Sequence, residues 1–158
     1  METDRPDPGL YPPDRIGLAA AAARDAGLAA LLLTPGPDLR YLTGYDAHQL
    51  ERLTCLAVPA AAPGGPPSSA AGEPFLVVPR LELPAAQASP AGALGLEIIP
   101  WDETDDPYAL VAGRLADATQ GAAGPVGLSD RMWALMVLRF RDARIRVVGL
   151  VPRDDLQP

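Results

Sequence analysis

The apolar stretch from Ile16 to Leu33 is broken by Arg24 and Asp25, so it reads as a helix followed by a strand and not as one membrane span. Pro12 and Pro13 suit the first turn of that helix, where a missing N–H costs nothing. The helix is expected to run to about Ala26, with Gly27 as a left-handed cap. Leu28 to Thr34 reads as a buried strand, and Pro35-Gly36-Pro37 forces a loop. Asp38 to Thr43 then predicts a short helical turn that buries Tyr41 and Leu42 and stops at Gly44.

Further apolar runs predict strands over Arg52 to Pro59 and Pro74 to Pro79. Between them, Ala60 to Gly72 is low in complexity and has no periodic apolar face, so it is expected to form a hairpin loop between two strands that pair directly. Beyond this hairpin the pattern alternates. A short helix spans Leu81 to Ala88, a strand Leu96 to Trp101, and a helix opens at Asp106-Pro107 and runs to about Ala118. A short strand covers Val126 to Leu128, Ser129 or Asp130 caps a helix from Arg131 to about Arg141, and Ile145 to Val151 closes the series as a strand. Met132 to Leu138 is apolar almost all round, which predicts burial on more than one side, against the sheet and against a subunit or further domain. Strands alternating with helices imply an α/β fold: a mixed, mainly parallel sheet of five to six strands with helices on both faces. Residues 1–10 read as a flexible lead, 11–152 as a single domain, and 153–158 as a tail or the start of a linker.

Composition narrows the chemistry. The 158 residues carry a formal charge of -7, which argues against nonspecific binding to nucleic acid or an anionic membrane. All 13 basic residues are arginine, so no lysine can serve a phosphate loop or a Schiff base. The single cysteine, Cys55, lies in an apolar run and reads as a core residue rather than a nucleophile. The polar, acidic start Met1-Glu2-Thr3-Asp4-Arg5-Pro6 does not resemble a secretory signal, so a cytoplasmic protein is the expectation.

No self-sufficient active site is legible. His48 is the only histidine, and neither an HExxH nor a paired-cysteine pattern occurs. The one acidic cluster, Glu103-Thr104-Asp105-Asp106, precedes a predicted helix and reads as a cap rather than a metal ligand set. There is no GxSxG elbow. A nuclease-like carboxylate cluster would need acids on adjacent strand centres, and Glu97 stands alone.

The run Leu28 to Thr34, followed by Asp38-Leu39-Arg40-Tyr41-Leu42-Thr43-Gly44-Tyr45, resembles the N-terminal domain of the creatinase/prolidase superfamily, the "pita-bread" Xaa-Pro peptidases. The similarity continues in order through Leu53 to Pro59, through Pro74 to Glu82, and through Val126-Gly127-Leu128. Two departures are Asp38, where asparagine is commoner, and Ser129, where glutamate is frequent and a local contact is expected to change. The resemblance implies a ribonuclease-H-like α/β fold that mediates homodimer contacts. It also implies a metal-binding C-terminal domain, none of whose ligands occurs by Pro158, so no catalytic, metal or cofactor residue is assigned here.

The resemblance further implies that the domain lends a loop over a partner's active site. The corresponding segment is Tyr45 to Arg52, in which Tyr45, His48, Glu51 and Arg52 are the substrate-proximal candidates. Arg52 could hold a carboxylate of a peptide or amino-acid-derived substrate. The plainer alternative pairs Glu51 with Arg52 at the surface and leaves His48 solvated. The implied function is that of a non-catalytic domain in an Xaa-Pro aminopeptidase or dipeptidase whose parent uses two divalent metal ions (Mn, Co or Zn). The rival readings are a free-standing α/β binding or scaffold protein and the N-terminal domain of a creatinase-like amidinohydrolase.

Overall fold

The computed structural model describes residues 10–12, 14–64, 72–120 and 124–149. Six strands form one sheet in the order β4-β3-β2-β1-β5-β6. They are β1 (Ala30–Leu33), β2 (Cys55–Pro59), β3 (Phe75–Pro79), β4 (Glu97–Trp101), β5 (Val126–Leu128) and β6 (Val147–Gly149). β2 pairs antiparallel with both β1 and β3, while β1/β5, β3/β4 and β5/β6 are parallel. β2 therefore runs against the other five strands. The expected direct pairing of β2 with β3 is present, with Leu56 opposite Leu76; the middle of the connecting segment, 65–71, lies outside the described residues.

Every residue of β1, β2 and β3 is buried, because helices cover both faces of the sheet. Side chains alternate between the faces. Leu31, Leu33, Leu56, Val58, Leu76 and Val78 point to one side, where α1 (Asp14–Asp25), α2 (Pro37–Thr43) and α3 (Leu83–Ala88) supply Ile16, Ala20, Leu39, Leu42 and Ala86. Leu32, Cys55, Ala57, Phe75 and Val77 point to the other, under Val111 and Leu115 of α4 (Pro107–Thr119) and Met136 and Phe140 of α5 (Ala134–Asp142). Each fully buried Leu, Val or Phe contributes about 1.5–3 kcal/mol by leaving water.

The local signals act where they were expected. Gly27 adopts φ 70 after α1, and Gly44 ends α2 at φ 71 with its N–H on the Arg40 carbonyl. Asp106 caps α4, accepting from the backbone N–H groups of Tyr108 and Ala109. Cys55 is fully buried, and burial pushes its thiol up to about 12, which leaves it a core residue.

Three expectations need correction. Tyr41 is 59% exposed and lies beside the Arg15 guanidinium, because the buried face of the two-turn α2 is taken by Leu39 and Leu42. α5 begins at Ala134, and Trp133 occupies its cap position, so neither Ser129 nor Asp130 caps it. Ser129 is instead buried, its hydroxyl 3.3 Å from that of Thr34, while its carbonyl accepts from the Met132 N–H in a turn that delays the helix. The apolar helix packs Met136 and Phe140 against the sheet as expected, and Leu135 and Leu138 are 55% and 53% exposed within this chain. The predicted Leu81–Ala88 helix opens as a 3-10 turn over Arg80–Glu82, because Pro84 interrupts continuous α-helical bonding there.

Candidate functional site

Open α/β sheets place ligands at the carboxyl ends of their parallel strands. Here that rim carries α2 after β1, the turn Arg80–Glu82 after β3, the segment from Asp102 to Asp106 after β4, and the turn from Ser129 to Trp133 after β5. Because β2 is reversed, the chain must return to the same rim before β2 begins. The loop from Tyr45 to Thr54 makes that return.

This loop contains no helix or strand and makes contacts to each neighbouring rim element. Asp46 pairs with Arg40 of α2 at 3.4 Å. Gln49 donates to the Arg131 carbonyl at 3.0 Å. Arg52 reaches Glu103 at 2.6 Å. The Leu53 carbonyl accepts from the indole Nε1–H of Trp101 at 2.8 Å.

The four sequence candidates do not converge on a single point. Tyr45 turns inward and is 6% exposed, with its hydroxyl 3.4 Å from Glu82 Oε2. Burial, reinforced by the charge and hydrogen bonding of Glu82, pushes its phenol up to about 12. His48 and Glu51 are exposed. Arg52 is half-exposed and pairs with Glu103 rather than with its neighbour Glu51. It lines an open cleft of about 260 Å³ together with Pro79, Arg80, Leu81, Trp101 and Glu103. In the same cleft Arg80 binds Asp102 at 2.6 Å, and that bond holds the Asp102 carboxyl below its usual range.

The cleft is thus lined by the apolar Pro79, Leu81 and Trp101 and by two arginine–carboxylate pairs, Arg52–Glu103 and Arg80–Asp102. Exposed pairs of this kind are weak, so an incoming carboxylate can compete for the guanidinium. Among the described residues no three His, Cys, Asp or Glu side chains come together as metal ligands. The described residues therefore do not fit a dinuclear metal site. Sequence reasoning missed Glu82, whose only signal is an acid at the end of Val78-Pro79-Arg80-Leu81.

This sheet order, with one reversed strand and a rim loop launched from a glycine-stopped turn, defines a mixed α/β module. The chain belongs to the creatinase/prolidase N-terminal domain family, whose model matches residues 15–156. It is 45% identical over 138 residues to "Probable dipeptidase PepE" of Mycobacterium tuberculosis and of Mycobacterium bovis, which covers 87% of this chain and 32% of each relative. The chain therefore spans about a third of the length of the curated relatives it matches. Among solved structures it superposes on dipeptidase PepE from Mycobacterium ulcerans with a TM-score of 0.73 at 41% identity, covering 92% of this chain and 35% of that one. It also matches the creatinase/prolidase N-terminal domain of an X-Pro dipeptidase from Streptococcus pyogenes, with a TM-score of 0.62 at 18% identity over 87% of this chain and 98% of that one, which shows the shared fold. No helix among the described residues is long and apolar enough to cross a membrane.

Proposed function

We propose that this chain is the non-catalytic N-terminal domain of a metal-dependent dipeptidase acting on Xaa-Pro substrates. In this reading residues 11–152 form one domain and 153–158 lead into a C-terminal domain that holds the two divalent metal ions. The enzyme works as a cytoplasmic homodimer, and the rim loop from Tyr45 to Arg52 covers the active site of the partner. Arg52, which lines the cleft, binds the substrate carboxylate. The observation that carries the reading is the match at 45% identity to dipeptidases of which this chain spans 32%.

The test compares the full-length gene product with the purified 158-residue chain. The full-length protein should hydrolyse Xaa-Pro dipeptides, lose activity to a chelator, and recover it with manganese or cobalt; the 158-residue chain should be inert. Turnover by the short chain, free of contaminant, would overturn the non-catalytic assignment. A full-length protein inert toward Xaa-Pro dipeptides would overturn the substrate assignment. Arg52→Ala should raise KM with little change in kcat, and unchanged kinetics would remove Arg52 from substrate binding.

A further inference from the structure

The structure assigns Glu82 as a positioning residue that staples both feet of the rim loop through one carboxylate oxygen. The loop leaves the glycine-stopped turn at Tyr45 and enters β2 through Thr54. Tyr45 Oη donates to Glu82 Oε2 at 3.4 Å, and Thr54 Oγ1 donates to the same atom at 3.3 Å. Glu82 lies 37 and 28 positions from these two residues, on the turn that follows β3. An ionised carboxylate only accepts hydrogen bonds, so two hydroxyl donors can share one of its oxygens. Both contacts are long for O–H···O bonds, so each is weak alone. Their joint effect is to fix the separation of the two feet.

Burial divides the feet from the span between them. Tyr45 and Thr54 are 6% and 1% exposed, while Asp46, His48, Leu50 and Glu51 are exposed. The ion pairs that touch the span, Asp46–Arg40 and Arg52–Glu103, join half-exposed or exposed side chains and are weak restraints. Glu82 joins the two feet to each other, so it sets where the loop stands on the rim and where Arg52 projects. The consequence for substrate rests on the function proposed above; the stapling itself does not.

Two measurements keep these apart. Hydrogen exchange followed by mass spectrometry on the 158-residue chain should show amides 46–53 exchanging roughly tenfold faster in Glu82→Leu, with β1 and β3 unchanged. Glu82→Gln, which keeps a carbonyl acceptor, should restore most of the protection. The double variant Tyr45→Phe/Thr54→Val leaves Glu82 in place and should match Glu82→Leu; it serves as the test if the leucine variant does not fold. Loop exchange unaltered in the double variant would overturn the staple. In the full-length enzyme, Glu82→Leu should raise KM for Xaa-Pro dipeptides several-fold more than it lowers kcat. Faster loop exchange with unchanged kinetics would uphold the staple and overturn the substrate role of the loop.

Discussion

The indole N–H of Trp101, at the end of β4, donates to the main-chain carbonyl of Leu53 at 2.8 Å, tying the far edge of the sheet to the foot of the rim loop. Trp101 and Leu53 are 8% and 1% exposed, so the bond is shielded from water. Trp101→Phe keeps an aromatic ring but strands a buried carbonyl. It should cost about 1–3 kcal/mol in urea unfolding, more than the lost ring area alone predicts.

Asp106 satisfies two of the free N–H groups at the start of α4, at 3.0 Å to Tyr108 and 3.1 Å to Ala109. Asp106→Ala should destabilise the protein by about 1 kcal/mol, and Asp106→Asn should retain most of that stability. Equal losses in both variants would show that charge rather than capping geometry matters.

Gly44 and Arg144 both occupy the left-handed region, at φ 71 and φ 65, and their substitutions should act in opposite directions. A Cβ on Gly44 would lie 2.7 Å from Pro90 Cβ and 2.8 Å from Tyr11 Cδ2. Gly44→Ala should therefore cost about 2 kcal/mol or more, from backbone strain and overlap together. Arg144 follows α5 in a Schellman-type cap, where the Ile145 N–H bonds to the Phe140 carbonyl at 3.0 Å. Arg144→Gly relieves a strained side-chain-bearing residue and should stabilise the protein by about 0.5 kcal/mol. Thermal melts of the two variants check both signs.

Stability should fall in alkali. The Cys55 thiol rises from 9.0 to about 12 on folding, and the Tyr45 phenol from 10.0 to about 12. Above pH 9.0 the unfolded chain releases protons that the folded chain retains, so the contribution is complete below that pH and is lost as pH rises towards about 12. Urea midpoints measured across this window should decline. Cys55→Ala should flatten the lower part of the decline and Tyr45→Phe the upper part. A slope unchanged in both variants would assign the loss to other groups.

The exposed residues explain where sequence reading stopped. Unbroken apolar runs in Leu31-Leu32-Leu33 and Phe75-Leu76-Val77-Val78 announced strands buried on both faces, because a two-sided sheet leaves no polar side. Tyr41 misled because a two-turn helix has too short a pattern to show which apolar residue faces inward. Leu135 and Leu138 are a different case: hydrophobicity signals a preference for cover, and within this chain α5 buries only Met136 and Phe140.

The sequence by itself determined the order of elements, the glycine stop at Gly44, the cap at Asp106, the core role of Cys55 and the family to which the chain belongs. Those features depend on local backbone preference, periodicity and the order of motifs, all of which are linear. The tertiary structure alone decided that Arg52 faces Glu103 rather than Glu51, that Ser129 meets Thr34 across 95 positions, and that one oxygen of Glu82 serves both Tyr45 and Thr54. Such partners are chosen when reversed β2 brings distant loops to one rim, and no periodicity along the chain encodes which polar side chains arrive within hydrogen-bonding distance.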